Sequence, residues 1–362
     1  MQLIQFTGSH AVAQMLHATQ AKKVQEHGRL DYKLQAEAGG YNPFVIAGFP
    51  RGALEPLHSF FDRGLAAPAH WDQFFAQLKQ SGGTLQNFLD AVVDSTTGLQ
   101  AHKCSTCKEF IVAVDDSTGD GVSSEDAAML WRLIIERLTC VKVGPVERGG
   151  VDMGALIDRR MHDLVRAQVQ RIVDEGGKLY TMRFPADVNG VMTVEGQPLA
   201  MNVAFYEVPD GELDTMDAEE VFAPVVRWNE VKGVRAAIDR AKDLGYALTA
   251  TVLAPTEAEA KAIREDLPHG VVYISSDDGK VDGCTGAPAP QIPFGGSGKS
   301  GTGSAYRPGN SRYPLAFAQE VSRPRFARAD WGRGKHPSPT EAHLDSVALR
   351  DPKGVLRWVQ RN

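Results

Sequence analysis

The back half of the chain alternates between short apolar runs and stretches with helical spacing. That alternation limits the possible folds more than any other feature. Strand-like runs at 179–184 and 200–208 are followed by Glu219-Glu-Val-Phe-Ala-Pro-Val-Val226, which leads into another strand. Residues 232–244 have helical periodicity and stop at Gly245; 247–253 read as a strand, 257–265 as a helix and 271–274 as a strand. Strands that each hand over to a helix pair in parallel, so the expected class is α/β with a largely parallel sheet. Upstream, 120–137 read as a helix capped by Ser123-Ser-Glu-Asp, and 153–175 as a second helix closed by Gly176-Gly177. Leu57, Phe60 and Phe61, then Trp71, Phe74, Phe75 and Leu78, mark two short amphipathic helices whose aromatic stripes read as core or interface. At the N-terminus the apolar run 3–6 passes through Thr7-Gly8-Ser9 into a helix with Val12, Met15 and Leu16 at helical spacing. A last strand is expected at 315–321, followed by a basic, Pro-rich tail carrying Trp331 and Trp358.

Composition narrows the partners. The 362 residues suffice for one large or two modest domains, and a net charge of -6 without a long basic run argues against nucleic acid. With no stretch of 18 apolar residues and no signal peptide, the chain reads as soluble and cytoplasmic, with no membrane partner. Four cysteines, at 104, 107, 140 and 284, do not make a disulfide framework at this length.

The chemistry centres on Thr97-Gly-Leu-Gln-Ala-His-Lys-Cys104-Ser-Thr-Cys107, where a turn delivers a thiol just ahead of the apolar run 110–114. Lys103 and His102 beside the thiol would favour thiolate, the nucleophilic form. A structural cysteine is the competing reading. A zinc or redox half-site from Cys104 and Cys107 lacks a second ligand pair, so no metal site is expected. Glu37 lies between apolar residues just before Gly39-Gly40 and another strand; partial burial there would suit a general base, whereas a solvated carboxylate at a strand end would not. The strand, Gly8-Ser9 turn and helix start resemble an anion site, although an ordinary capped helix gives the same pattern. The segment 283–303 is dense in Gly, Pro and Ser, with Ile292 and Phe294 interleaved, which argues for an ordered loop.

In this order, these pieces resemble the aldehyde dehydrogenase superfamily. Phe6-Thr-Gly-Ser9, Glu37-Ala-Gly-Gly40, the Cys104 loop, Glu219-Glu-Val-Phe-Ala-Pro224 and Pro293-Phe-Gly-Gly-Ser-Gly-Lys-Ser-Gly301 match successive family motifs. Within it, the Cys104 loop is most similar to that of glutamate-semialdehyde (pyrroline-5-carboxylate) dehydrogenases, as is the Thr285-Gly-Ala287 turn. The resemblance implies an aldehyde dehydrogenase-like catalytic domain with a parallel-rich sheet and a Rossmann-type cofactor domain. It implies Cys104 as nucleophile and Glu37 as the base that activates water. Gly8, Ser9, Glu220 and Phe222 would hold NAD or NADP. Ser105, Gly286 and Ala287 would bind the substrate carboxylate and Phe294 its aliphatic part.

The match departs from the family in several places. A complete member carries much of its cofactor domain before the equivalent of residue 1, so 1–37 are expected to be a remnant of that domain and 38–303 the catalytic domain. Residues 64–86 look like an insertion, 304–322 a return or oligomerisation segment, and 323–362 a tail. Ala101 and His102 stand where those relatives have Gly and Gln, and Ala223 replaces the Gly of a Phe-Gly-Pro motif. Three outcomes follow for the function. The chain is the catalytic part of a dehydrogenase that needs a partner chain, or an active enzyme with a rebuilt cofactor site, or an inactive binding and assembly module. A small aldehyde substrate and a homo-oligomer are expected.

Overall fold

The structure, a computed structural model, describes residues 2–28, 32–144, 150–180, 193–194, 197–198, 203–208, 219–281, 283–286 and 294–303. All of them fall in a compact unit spanning Met1–Ala318, and a second unit spans Gln319–Asn362. The expected strand at 315–321 and the tail lie outside the described residues.

The described elements, in chain order, open with β1 (Gln2–Gly8), α1 (His10–His27), β2 (Tyr32–Ala38) and β3 (Asn42–Ile46). Three helices follow, α2 (Glu55–Asp62), α3 (Pro68–Ser81) and α4 (Thr84–Thr97), then a short 3-10 turn (Gly98–Ala101) and β4 (Cys107–Val114). Next come α5 (Ser124–Thr139), α6 (Arg159–Asp174), β5 (Lys178–Leu179), the hairpin pair β6 (Thr193–Val194) and β7 (Gln197–Pro198), and β8 (Ala204–Glu207). The last are β9 (Val225–Lys232), α7 (Gly233–Asp243), β10 (Tyr246–Ala247), β11 (Thr249–Leu253), α8 (Glu257–Asp266), β12 (Val271–Ile274) and β13 (Ser297–Gly298).

A seven-stranded sheet in the order β12-β11-β3-β4-β9-β8-β5 forms the centre. Every neighbouring pair in it is parallel except β8 with β5. A parallel sheet is covered on both faces, and its strands read as nearly unbroken apolar runs for that reason. Side chains alternate between the faces. On one face Phe44, Phe110, Phe205 and Trp228 meet Phe88, Leu57 and Trp71 from the helices. On the other Val45, Ile111 and Val252 meet Ala237, Ile238 and Ala241 of α7 and Ala260 and Ile263 of α8. Residues 64–86 contain α3, whose Trp71, Phe74 and Leu78 are buried in the first of these clusters.

A separate two-stranded parallel sheet, β1 with β2, is joined by α1 into one strand–helix–strand unit. Its apolar cluster is small: Ala13, Ala36 and Ala38 are buried, with Phe6 and Leu34 packed against them. The chain crosses from this unit into the main sheet through Gly39 and Gly40, between the end of β2 and the start of β3.

The start of the helix expected at 153–175 shifts to Arg159. Residues 153–158 stay out of α6 because Asp158 is its N-cap and accepts from the Met161 amide. The expected cap at Ser123 is present, with its hydroxyl accepting from Asp126 N. Of the strand expected at 179–184, Leu179 lies in β5, Tyr180 follows it outside the strand, and residues 181–184 lie outside the described residues.

Candidate active site

The Cys104 loop enters at the N-terminal ends of β3, β4 and β9, beside the C-terminal end of β2. It is held mainly through its carbonyls. Asn42 is fully buried and donates from Nδ2 to the Cys104 carbonyl (2.6 Å) and the Thr106 carbonyl (2.9 Å), while its Oδ1 accepts from Thr249 N (3.1 Å). The Ser105 carbonyl accepts from Thr285 Oγ1 (2.8 Å), and Thr285 N donates to Thr251 Oγ1 (2.7 Å). These bonds join β3, β11 and the 283–286 turn to the backbone of Cys104, Ser105 and Thr106.

The turn Gly39-Gly40 fits only as glycine. A Cβ on Gly39 would run into the Glu220 carboxylate, and one on Gly40 into the Cys104 carbonyl oxygen. The close approach packs the end of β2, the thiol loop and the Glu219–Pro224 segment together. Gly286 has φ +86, and a Cβ there would strike the Ser95 backbone. Glu37, at the end of β2, is half-buried and accepts from Gly296 N through Oε2 (3.2 Å). The same segment binds β2 through Ala38 N to Ser300 O (2.8 Å) and Thr302 N to Ala36 O (3.0 Å). Phe294, partly exposed, opens this segment.

The sequence neighbours of Cys104 do not activate it as expected. Burial first, then the Glu220 and Glu37 carboxylates, push the thiol up to about 11, and the backbone amides of Cys104 and Ser105 only partly offset this. The Lys103 ammonium is anchored on the Gly286 carbonyl. His102 lies flat against Phe222, ring centroids 5.6 Å apart and 7° from parallel. Burial, reinforced by the Lys108 charge, lowers the His102 pKa and keeps the ring neutral. Cys107 is fully buried on β4, and burial raises its thiol far above the ordinary value.

Glu220 is raised by burial, opposed by the Lys108 charge and a hydrogen bond from the Gly40 amide. Its Oε1 is buried with no hydrogen-bond partner among the described residues. Lys108, 2% exposed, reaches under this segment and donates to the Val221 carbonyl (2.6 Å) and the Ala223 carbonyl (3.0 Å). Burial lowers Lys108 to about 8, even with Glu220 favouring its charged form. Ala223 is packed inside a cluster with Leu156 and Val165.

At the N-terminus Ser9 caps α1, its Oγ accepting from Val12 N at 3.5 Å, and His10 Nδ1 meets the Lys299 carbonyl at 2.8 Å. The Gly8 Cα faces the Phe6 ring. Ser105 is only 2% exposed. Ala287 lies outside the described residues. Cys104, Glu37, Glu220 and Phe222 are thus brought together around one turn, and Gly286 joins them through Lys103. Asn42, Lys108, Thr249 and Thr285 complete the site. A polar residue opening an apolar strand, and a lysine just after the thiol loop, are the signals that would have found the first two.

Residues 82–314 match the profile described as "Aldehyde dehydrogenase family", which is most of the chain. The chain belongs to the aldehyde dehydrogenase family. Among curated proteins, 1-pyrroline-5-carboxylate dehydrogenase of Anoxybacillus flavithermus is 29% identical over 229 residues, 63% of this chain and 39% of that protein. The protein of the same name from Staphylococcus epidermidis is 26% identical over 318 residues, 88% of this chain and 49% of that one. The chain therefore spans less than half the length of these two relatives. Among solved structures, betaine aldehyde dehydrogenase from Staphylococcus aureus in complex with NAD+ superposes with a TM-score of 0.60 at 18% identity, covering 83% of this chain and 47% of that one. Proline Utilization A of Bradyrhizobium japonicum gives 0.57 at 20% identity, over 84% and 25%. Both show the shared fold. No helix among the described residues is long and apolar enough to cross a membrane.

Proposed function

We propose that the chain carries the thiol chemistry of an NAD(P)-dependent aldehyde dehydrogenase and converts L-glutamate γ-semialdehyde to glutamate. The observation that carries this reading is the convergence of Glu37, Cys104 and Glu220 on the Gly39-Gly40 turn. The names of the curated relatives support the substrate class.

The Cys104 sulfur attacks the aldehyde carbon and forms a thiohemiacetal. Bound NAD(P) supplies the hydride acceptor. Once the hydride has left, the acyl group is a thioester on Cys104, and Glu37 takes a proton from the water that hydrolyses it. Glu37 suits the base role because it is half-buried at the edge of the site with one oxygen oriented by Gly296 N. Ser105, Gly286, Ala287 and Phe294 bind the rest of the substrate.

The residues present fit the cofactor at its reactive end. The unpartnered Glu220 Oε1 is an acceptor for a ribose hydroxyl, and Phe222, backed by His102, is a rigid wall for the nicotinamide side. Gly8 and Ser9 lead into the N-terminus of α1, where first-turn amides favour a phosphate. A dinucleotide fold needs several parallel strands. Here β1 pairs with β2 and, among the described residues, its other edge is open. Further strands join at that edge, from a longer polypeptide or a partner chain. The exposed Met15 (58%), Val12 (38%) and Ile4 (37%) also favour an assembly role for this unit.

Substitution tests the roles. Cys104→Ala abolishes aldehyde oxidation, and Cys107→Ala retains it; a dead Cys107 variant would reassign the nucleophile. Glu37→Gln gives a hydride burst followed by slow turnover, and an unchanged steady state removes Glu37 from the base role.

A further inference from the structure

The thiol pocket is electrostatically hostile to an anion. Cys104 sits against two carboxylates, Glu220 and Glu37, and both raise its pKa. An acidic substrate arriving at this pocket would be repelled unless a cation lies along its path. Two described lysines interact with the Cys104 thiol, Lys103 and Lys108. Lys108 is sealed in the interior with its ammonium committed to the Val221 and Ala223 carbonyls. Lys103 is different. It is half-buried, its neighbours Gly98 and Gly286 leave it no side chain to lean on, and its ammonium sits on the Gly286 carbonyl at the mouth of the 283–286 turn.

We infer that Lys103 is a specificity-determining residue: its ammonium, held between the nucleophile loop and the Gly286 turn, selects aldehydes that carry a carboxylate at the end remote from the reacting carbon. The inference rests on the proposed reading of Cys104 as nucleophile and deepens it by assigning the charge that recognises the substrate.

Three features fix the ammonium there. The Gly286 carbonyl takes one of its three protons and leaves two for a ligand. Gly286 is locked by its positive φ and by Ser95, so the anchor is rigid. Gly98 also crowds the site, since a Cβ there would lie 2.8 Å from Lys103 Nζ. The other groups facing Lys103 are Asp94, Cys284 and Cys104, all of which favour its charged form against the burial that lowers its pKa. Asp94 is exposed, so solvent screens it.

The test uses Cys104 alkylation, which needs neither cofactor nor turnover. The full chain is treated with iodoacetamide, and modification of Cys104 is followed by peptide mass spectrometry. Pentanoate and pentanamide, matched in size and differing in charge, serve as protectants. In the wild type, pentanoate protects at a concentration roughly 10- to 100-fold lower than pentanamide, the range for one charge-assisted hydrogen bond. Lys103→Met brings the two to the same concentration, and Lys103→Arg keeps most of the preference. In the wild type itself the preference narrows as salt rises from about 0.01 M to about 1 M. This last arm holds even where a Lys103 variant fails to fold. Equal protection by the two probes in the wild type, a preference that salt does not change, or a preference that survives in folded Lys103→Met would each overturn the assignment. A charge-dependent preference in a chain that turns over no aldehyde, even with the complementing cofactor domain, would leave Lys103 in place and remove the dehydrogenase reading.

Discussion

Gly40→Ala tests the geometry of the site at its tightest point. The added methyl would fall far inside 3.0 Å of the Cys104 carbonyl oxygen, a distance real Cβ atoms essentially never undercut, and 2.7 Å from Asn42 Nδ2. Neither neighbour can swing away, because one is backbone and the other is fully buried and hydrogen-bonded at both ends. The thiol loop must therefore move by on the order of 1 Å, a displacement that costs about 100-fold in rate when reacting groups are misplaced. Overpacking of this kind destabilises by about 1–3 kcal/mol, which lowers Tm by roughly 1–5 °C in a domain of this size. The thiol responds in the opposite direction. Burial is the largest cause of its rise from 9.0 to about 11. A loop pushed toward solvent falls back toward the ordinary value, giving up to roughly 100-fold more thiolate at neutral pH. Each thiolate is then less nucleophilic by about 8-fold, so the net gain in alkylation rate is about 10-fold. The assay is iodoacetamide alkylation at Cys104 alongside thermal unfolding. A lower Tm with faster alkylation is expected. Wild-type Tm and wild-type alkylation together would refute the packing of this turn against the thiol loop.

Three further outcomes follow. Glu220→Gln removes the largest charge acting on the thiol and lowers the pH midpoint of Cys104 alkylation by on the order of one unit; a midpoint that rises or stays would contradict the placement. His269 is 8% exposed, neither ring nitrogen has a hydrogen-bond partner among the described residues, and burial lowers its pKa from 6.5 to about 4. Its neutral form is the one the fold favours, so its contribution is complete above pH 6.5 and is lost as pH falls toward 4. Each pH unit in that window is worth about 1.4 kcal/mol, so the loss approaches about 3 kcal/mol, and His269→Leu flattens the acid limb of a stability–pH curve by that order. Lys108→Met frees the Val221 and Ala223 carbonyls, and amide hydrogen exchange rises in residues 219–224 while β11 and β12 keep their protection; uniform protection would show that Lys108 does not pin that segment.

The fold was legible where one signal dominated. Val271–Ile274 is a strand at the residues its apolar run marks, and Glu257–Asp266 carries a capping box between Thr256 and Glu259. Helix α4 was harder to see, because Gly83 precedes it with no side-chain cap. Strand β4 begins three residues before the apolar run 110–114 because Lys108 and Glu109 are buried by specific partners. Glu109 is fully buried in a two-pronged pair with Arg240 at 2.9 and 3.0 Å, with Asn229 at 2.6 Å. Such partners come from distant strands and helices, and no local pattern announces them. The same reason explains the thiol. Lys103 is next to Cys104 in sequence yet is anchored 183 positions away, whereas Glu37 and Glu220 are far off in sequence and act on the thiol directly. The residues proposed for the catalytic roles were readable as motifs; the electrostatics around them depend on the fold.

The proposed Cys104 thioester can be reached without hydride transfer. An activated ester such as p-nitrophenyl acetate acylates a nucleophilic thiol directly and gives the same type of acyl-enzyme that aldehyde oxidation would give. The measurement is the release of p-nitrophenolate by the purified chain, with intact-protein and peptide mass spectrometry to locate the acyl group. One acyl group per chain is expected, on Cys104, with release slowed in Glu37→Gln so that the acyl form accumulates. Acylation on Cys107, or none on Cys104 in a folded protein, would contradict it.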